Sequence, residues 1–414
     1  MSGEPSVTVV GAGVVGLACA LTLQLEGRRV TVLDPDPPGE GTSYGNAGVF
    51  AVASVVPLGT PGILKDVPGM LLDPLGPLRI RPSYAHRIAP WIWRLVRASA
   101  PAEVERLGRA LAALCNPSLD AWTPLIEAAG AQSLVRRNGY LYVWETEAQA
   151  RAAAPMLELR RRLGVQMEDA PVEQLRQYSP ALKSGMAKAV LMSGGGHCLN
   201  PLGLSQALAA RLRAGGGEIR KARVQGFELG PDGPRRALTD AGPIDVQDVV
   251  IAAGARSRPF AAELGSDAPL DTERGYHVMM PDPKVDSRTP MLFPAIGIGT
   301  NPMAEGLRIA GTVEFGGLDA APDWRRAEVL EAHAKRLFPG VSLAGAKRWM
   351  GYRPSMPDSL PVLGRSPKHR NVYFAFGHGH LGLTLAAVSA RLIADQVVGR
   401  SPSFDPSPYR IDRF

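Results

Sequence analysis

One stretch constrains the fold more than any other. Residues 7–25 are almost continuously apolar, and glycines interrupt the run at Gly11, Gly13 and Gly16. The length alone suits a membrane span, and the position suits a signal peptide. Against a leader, the residues before the run include Glu4 and no Lys or Arg. A strand followed by a helix explains both the run and its glycines. SVTVV is β-branched and reads as a buried strand. VVGLACALTLQLEG reads as a helix that stops at Gly27, and RRVTVLD as a second strand ending at Asp34. In such a β-α-β unit each glycine has a physical task. Gly11 permits the tight turn, Gly13 removes a Cβ where the backbone approaches a pyrophosphate, and Gly16 lets the helix pack on the strand. The helix dipole and the amides around Ala12, Val14 and Val15 would hold the phosphates. Asp34, eighteen residues beyond Gly16, would accept hydrogen bonds from a ribose. The expectation is a soluble, cytoplasmic protein with no removed leader.

Composition limits the remaining choices. A chain of 414 residues predicts two or three domains, and 45% apolar with 21% charged residues means a folded globular protein. Cys19, Cys115 and Cys198 form no C-x-x-C, which excludes a disulfide framework and a zinc ribbon. The net charge is +7, but Lys and Arg are scattered, with no basic tail and no aromatic-basic ladder, so no nucleic-acid partner is expected.

After Asp34 the chain leaves the α/β pattern for a turn-rich loop. GTSYGNAG, residues 41–48, carries three glycines and the hydroxyls of Thr42 and Ser43, a loop suited to approach a phosphate or ring. α/β patterning returns only near residue 188. Asn200 would cap a helix with Pro201 at its first position. VVIAAGARS, residues 249–257, is an apolar run ending at Ala253 and Gly254, either a core strand or one whose end meets a ligand. FGHGHLGLT, residues 376–384, puts Gly377, Gly379 and Gly382 ahead of a long helix. Its His378 and His380 lack further ligands at metal-site spacing, so no metal is expected. In GYRP, Pro354 forces Arg353 towards extended backbone, and its planar fork matches a carboxylate; the alternative is a structural arginine paired with Asp358.

Together these segments, with WMGYRPSMPDSLPVLG at 349–364, resemble the FAD-dependent D-amino-acid oxidase/dehydrogenase superfamily, and within it the bacterial D-amino-acid dehydrogenases. The likeness spans essentially the whole chain, and the C-terminal pair of motifs is its most specific part. It implies an α/β fold: a discontinuous Rossmann-type FAD-binding domain at 1–60, 188–262 and 350–414, and a mixed-sheet α+β substrate domain at 61–187 and 263–349. It implies FAD held by the N-terminal glycine loop, Thr42, Ser43, Asn46, Ala47, Gly48, Ala253, Gly254 and the 379–384 turn (Gly379, His380, Leu381, Gly382, Leu383, Thr384). Val224 stands where family members offer adenine a backbone group. The positive pole of the 382 helix would stabilise anionic reduced flavin. Arg353 corresponds to the arginine that holds the substrate carboxylate.

Four further residues are expected near the substrate. Tyr276, in DTERGYHVMM, would bond the carboxylate or amine, or else lie in the core of a half-buried strand. His380 replaces a small or hydroxyl residue of the family. Tyr44 and Tyr352 are weaker candidates. Residues 70–96 resemble a dehydrogenase segment; there Trp91, Ile92, Leu95 and Val96, beside Arg94 and Arg97, would either pack inside the substrate domain or rest on a membrane near a quinone pool. The implied reaction is hydride transfer from Cα of a neutral amine to flavin N5, with no obligatory protein base. HLGLT and ERGYHV lean towards cyclic substrates such as D-proline or cis-4-hydroxy-D-proline. The rivals are a glycine/sarcosine-type amine oxidase, an NAD-linked dehydrogenase, and a tRNA-acting flavoprotein or non-enzymatic binder. Oxygen and a quinone both stand open as electron acceptor.

Overall fold

The computed structural model describes residues 5–61, 76 and 78–414. Two sheets organise the chain. The first has six strands, in the order Glu218–Lys221, Arg29–Asp34, Ser6–Val10, Asp248–Ile251, Val372–Phe376, Val362–Arg365. Its first five strands run parallel, and the last is antiparallel to its neighbour. Parallel strands need both faces covered. On one face lie the helices Val14–Leu25, Pro201–Ala214 and Gly382–Val398. On the other lie a three-stranded antiparallel sheet within 224–245 and the helix Ser257–Glu263.

This double covering explains the apolar N-terminus. The strand and helix of the glycine unit are buried on nearly every side, so neither shows an amphipathic pattern. The helical stretch Gly379–Val398 is also long and apolar enough to cross a membrane, but 72% of its apolar 18-residue span is buried in the protein. The Asn200 cap forms as the sequence predicts: its side chain accepts from the Gly203 amide at 2.9 Å, with Pro201 in the first turn.

The second sheet runs Lys347–Ser355, Asp271–Met280, Gly306–Phe315, Ile298–Met303, Met291–Phe293, Tyr140–Trp144, Lys188–Met192, Glu168–Ala170, with Leu78–Ile80 also on Gly306–Phe315. Two expected boundaries are corrected by it. Lys188–Met192 pairs with Tyr140–Trp144, so the first sheet is re-entered only at Glu218. Lys347–Ser355 pairs with Asp271–Met280, so a boundary at 350 cuts through a strand. A five-residue apolar run carries no mark of which sheet it will join; long-range pairing decides. Helix Arg325–Leu337 covers one face of this sheet. The other face turns towards the glycine loops.

Residues 70–75 and 77 of the dehydrogenase-like segment lie outside the described residues. The remainder includes the helix Ala85–Ala98, of which Ile88 and Trp91 are buried. Trp91 is buried against Phe315, with ring centroids 5.3 Å apart, and its indole donates to the Ser355 carbonyl at 3.2 Å. Trp91 therefore cannot form part of a membrane-resting face.

Candidate active site

The N-terminal glycines divide by task. A Cβ at Gly16 would lie 1.9 Å from the Gly11 carbonyl oxygen, and one at Gly11, where φ is +114°, 2.4 Å from the Ala252 carbonyl oxygen. Both positions serve close backbone packing. A Cβ at Gly13 would touch only Ser43 Oγ, at 3.4 Å, so Gly13 faces open space. The same openness recurs at Gly254, where φ is +56°, and at Gly382; an added Cβ would meet no atom within 4 Å at either. These glycines mark a track without side chains past the carboxyl ends of the strands, where open α/β sheets bind ligands. Asp34 accepts from the amides of Ala12 at 2.6 Å and Asp36 at 2.9 Å, tying the glycine turn to the second strand. Burial raises its pKa, and the two amides oppose that rise. Beside it an open recess is lined by Pro35, Ala222 and Arg223, next to Val224.

The 41–48 loop joins the two sheets. Ser43 Oγ accepts from the Val14 amide at 2.9 Å, at the start of the glycine helix. Thr42 donates to the Tyr352 carbonyl at 3.0 Å, and Asn46 Oδ1 accepts from the Gly48 amide at 2.8 Å. From the second sheet three buried side chains grip the loop carbonyls. His277 Nδ1 meets Gly45 O at 3.0 Å, Asn301 donates to Ala47 O at 2.8 Å, and Arg308 donates to Tyr44 O at 3.2 Å and to Asn46 O. Burial lowers the Arg308 pKa to about 10 and that of His277 to about 3. At Gly45 a Cβ would enter the Trp349 ring.

Strand alternation decides which predicted residues meet. Asp271–Met280 and Lys347–Ser355 pair Glu273 with Arg353, Gly275 with Gly351, and His277 with Trp349, all on the face towards the glycine loops. On this floor the two glycines are overlaid by neighbouring side chains: a Cβ at Gly351 would lie 2.0 Å from the Trp349 ring, and one at Gly275 would meet Arg353. To one side stand the stacked rings of His277 and Trp349, 5.0 Å apart, with Tyr44 6.0 Å from Trp349. To the other side lies Arg353. Its guanidinium crosses the strand over Gly275, where a Cβ would lie 2.4 Å from Cζ, and donates to the Thr312 carbonyl at 3.1 Å. Thr312 has a φ of 60°, left-handed for a β-branched residue, beside a shift in strand register. That bulge turns its carbonyl out of the ladder towards Arg353. The alternative partner of Arg353 is excluded, because Asp358 pairs with Arg413 at 2.7 Å.

Tyr276 and Tyr352 are corrected by the same alternation. They fall on the opposite face, under helix Arg325–Leu337. Tyr276 is 1% exposed and donates to Glu314 at 2.5 Å, and Arg274 lies over the Tyr352 ring. Their side chains belong to a buried Arg81–Glu314–Arg274 network, not to the site.

At the start of the C-terminal helix the backbone and side chains separate. Leu381 and Leu383 are buried in the core, and Thr384 Oγ1 accepts from the Ala51 amide at 3.0 Å. Their side chains are committed elsewhere, so only backbone from Gly379 to Thr384 is free to meet a cofactor. His378 is buried and bonded to Ser389 Oγ at 3.0 Å. His380 opens into the crevice near Arg353; the surrounding protein, with that positive charge, lowers its pKa to about 4, so it is neutral.

Comparison with known proteins agrees with this architecture. The family model described as FAD dependent oxidoreductase matches residues 6–396. The chain is 38% identical to a D-amino-acid oxidase of Bradyrhizobium diazoefficiens, over 99% of this chain and 98% of the relative. It is 31% identical to D-amino acid dehydrogenase 2 of Ralstonia nicotianae, over 98% of this chain and all of that one. Among solved structures it resembles glycine oxidase from Geobacillus kaustophilus, with a TM-score of 0.75 at 22% identity over 99% of each chain. L-proline dehydrogenase from P. horikoshii gives a TM-score of 0.75 at 18% identity, over 100% and 98% of the two chains. The chain belongs to the FAD dependent oxidoreductase family. FAD fits the track: its pyrophosphate would lie at Gly13 and its flavin against the backbone of the 379–384 turn.

Glu273, His277, Asn301, Arg308 and Trp349 were not legible as site residues. ERGYH resembles a strand on the substrate side, but its period-2 pattern names two faces without saying which one meets the flavin. The one usable signal was the glycine in each of ERGYH and WMGYR, which only strand register brings together.

Proposed function

We propose that the protein dehydrogenates D-amino acids, with cyclic ones such as D-proline and cis-4-hydroxy-D-proline preferred. The carrying observation is Arg353. One of its five donors is spent on Thr312, and no hydrogen bond from the other four is found among the described residues, which leaves donors of a planar fork for a carboxylate. Held there, a substrate is oriented with its Cα hydrogen towards the flavin. FAD supplies the two-electron acceptor. Neutral His380 and the ring wall of Tyr44, His277 and Trp349 would exclude water around a bound substrate. No side chain in the site is needed as a base once the amine is neutral. The D-amino-acid names of the relatives support the handedness.

The test is the anaerobic visible spectrum. The yellow protein should bleach with cis-4-hydroxy-D-proline and not with its L-epimer. Faster bleaching by a linear D-amino acid than by D-proline would remove the cyclic preference. Bleaching by sarcosine alone would move the enzyme to the glycine/sarcosine class.

We further propose that electrons leave to a quinone at a peripheral contact with an anionic membrane. Trp93 is 62% exposed, and Arg94 and Arg97 beside it are exposed too. Such a ring between arginines suits a headgroup layer. The protein should then co-sediment with phosphatidylglycerol vesicles, less so at high salt, and W93A should lose most of that binding. Equal recovery with phosphatidylcholine vesicles, or with none, would end this reading.

A further inference from the structure

Beside Arg353 stands a carboxylate that the reaction outlined above does not use. Glu273 is 4% exposed and is the direct register partner of Arg353, on the face towards the glycine loops. Its Oε1 has no hydrogen-bond partner. The groups that face it can be named: Arg353, the Ser355 hydroxyl and, more distantly, Asp271. Asp271 already accepts from Tyr84 at 3.1 Å and from the Thr272 amide at 2.7 Å. His380 faces Arg353 from the 379–384 turn. Glu314 and Arg274 lie on the opposite face of the sheet.

This arrangement has an electrostatic consequence. In the resting site one arginine balances one buried glutamate. A substrate carboxylate brings a second negative charge to the same arginine. Two carboxylates cannot both stay ionised on one cation away from water, so one of them takes a proton. The substrate holds the fork; Glu273 has the unpartnered oxygen.

Resting on the reading of Arg353 as the carboxylate anchor, we propose that Glu273 is the proton store of the site, taking up a proton as a carboxylate binds, and that the ammonium of an amino-acid substrate is its source. The step balances. An N–H bond of the ammonium breaks, its electron pair stays on nitrogen, and an O–H bond forms on Glu273. Nothing is oxidised. The neutral amine required for hydride departure is thus produced by binding itself. Burial already raises the Glu273 pKa against the pull of Arg353, in the same direction.

The test counts protons. The oxidised holoenzyme is titrated calorimetrically near pH 7.5 in buffers of different ionisation enthalpy, with two probes that cannot be oxidised. Benzoate carries a carboxylate and no proton to give. α-Methylproline is a zwitterion without a Cα hydrogen. The wild-type protein should take up close to one proton from buffer with benzoate and close to none with α-methylproline. Glu273→Gln should abolish the benzoate uptake, while Asp271→Asn and His380→Asn retain it. No uptake by the wild-type protein, or undiminished uptake in Glu273→Gln, would overturn the proposal, as would loss of uptake in either other variant. The wild-type count decides by itself should Glu273→Gln fail to fold. If neither probe binds the yellow protein at all, the anchor reading fails first, and the proposal falls with it.

Discussion

Arg353→Ala is expected to lower kcat/KM for a D-amino acid by on the order of 10²- to 10³-fold, with most of the loss in KM. Removing one partner of a buried, charge-assisted contact costs about 2–5 kcal/mol, and about 1.4 kcal/mol is tenfold. The loss should not reach the flavin: Arg353 bonds to Thr312, and no loop that would hold FAD depends on it. The purified variant should therefore be as yellow as the wild type. Arg353→Lys keeps the charge without the planar fork and should fall between the two. Steady-state kinetics beside the visible spectrum check this. An Arg353→Ala enzyme with an unchanged KM would mean that the substrate is anchored elsewhere.

The second large effect separates two glycines that look alike in the sequence. Gly13→Val should fold and bind no flavin. Gly13 has an ordinary φ of −71°, and its Cβ direction opens onto the track beside Ser43. A side chain there would displace phosphate contacts to backbone amides. Each charge-assisted hydrogen bond of this kind is worth about 1.5–3 kcal/mol. Losing two would weaken FAD binding by on the order of 10²- to 10⁴-fold. Gly16→Val should fail earlier. A Cβ there meets the Gly11 carbonyl oxygen at 1.9 Å, a backbone atom that cannot move without parting the first strand from its helix. The expected outcome is a soluble, colourless Gly13→Val with wild-type circular dichroism, and an insoluble or unfolded Gly16→Val. A yellow Gly13→Val would show that the pyrophosphate does not pass this glycine.

Both effects rest on the fact that the site is built mostly from backbone. The FAD track is a set of missing side chains, and the paired Gly275 and Gly351 give room to the Arg353 guanidinium and the Trp349 ring. On the proposed reading, specificity is left to few groups: Arg353, Glu273, His380 and the ring wall of Tyr44, His277 and Trp349. The 41–48 loop explains why the two sheets act together. Its hydroxyls reach the glycine helix and the Tyr352 carbonyl, while His277, Asn301 and Arg308 hold its carbonyls from the second sheet. Displacing either sheet would move the loop between flavin and substrate.

Local rules made much of this legible in the chain itself. The strand–glycine–helix–strand unit at 6–34 follows from β-branched runs, glycine spacing and a terminal acid, all short-range properties. The Asn200 cap and the glycines before the C-terminal helix are local in the same sense. Arg353 stood out because Pro354 constrains its backbone and because a guanidinium matches a carboxylate. The folded protein alone decided the rest. Tyr276 and Tyr352 differ from their neighbours by one position in a strand, and one position reverses the face. Glu273 became a site residue only through its pairing with Arg353 across 80 residues of sequence. Lys188–Met192 joined the second sheet because of a partner far away in the chain. Turns, caps and glycine loops are set by neighbours within a few residues. The face that a strand presents, and the charge that it meets there, are set by contacts that no short window of sequence contains.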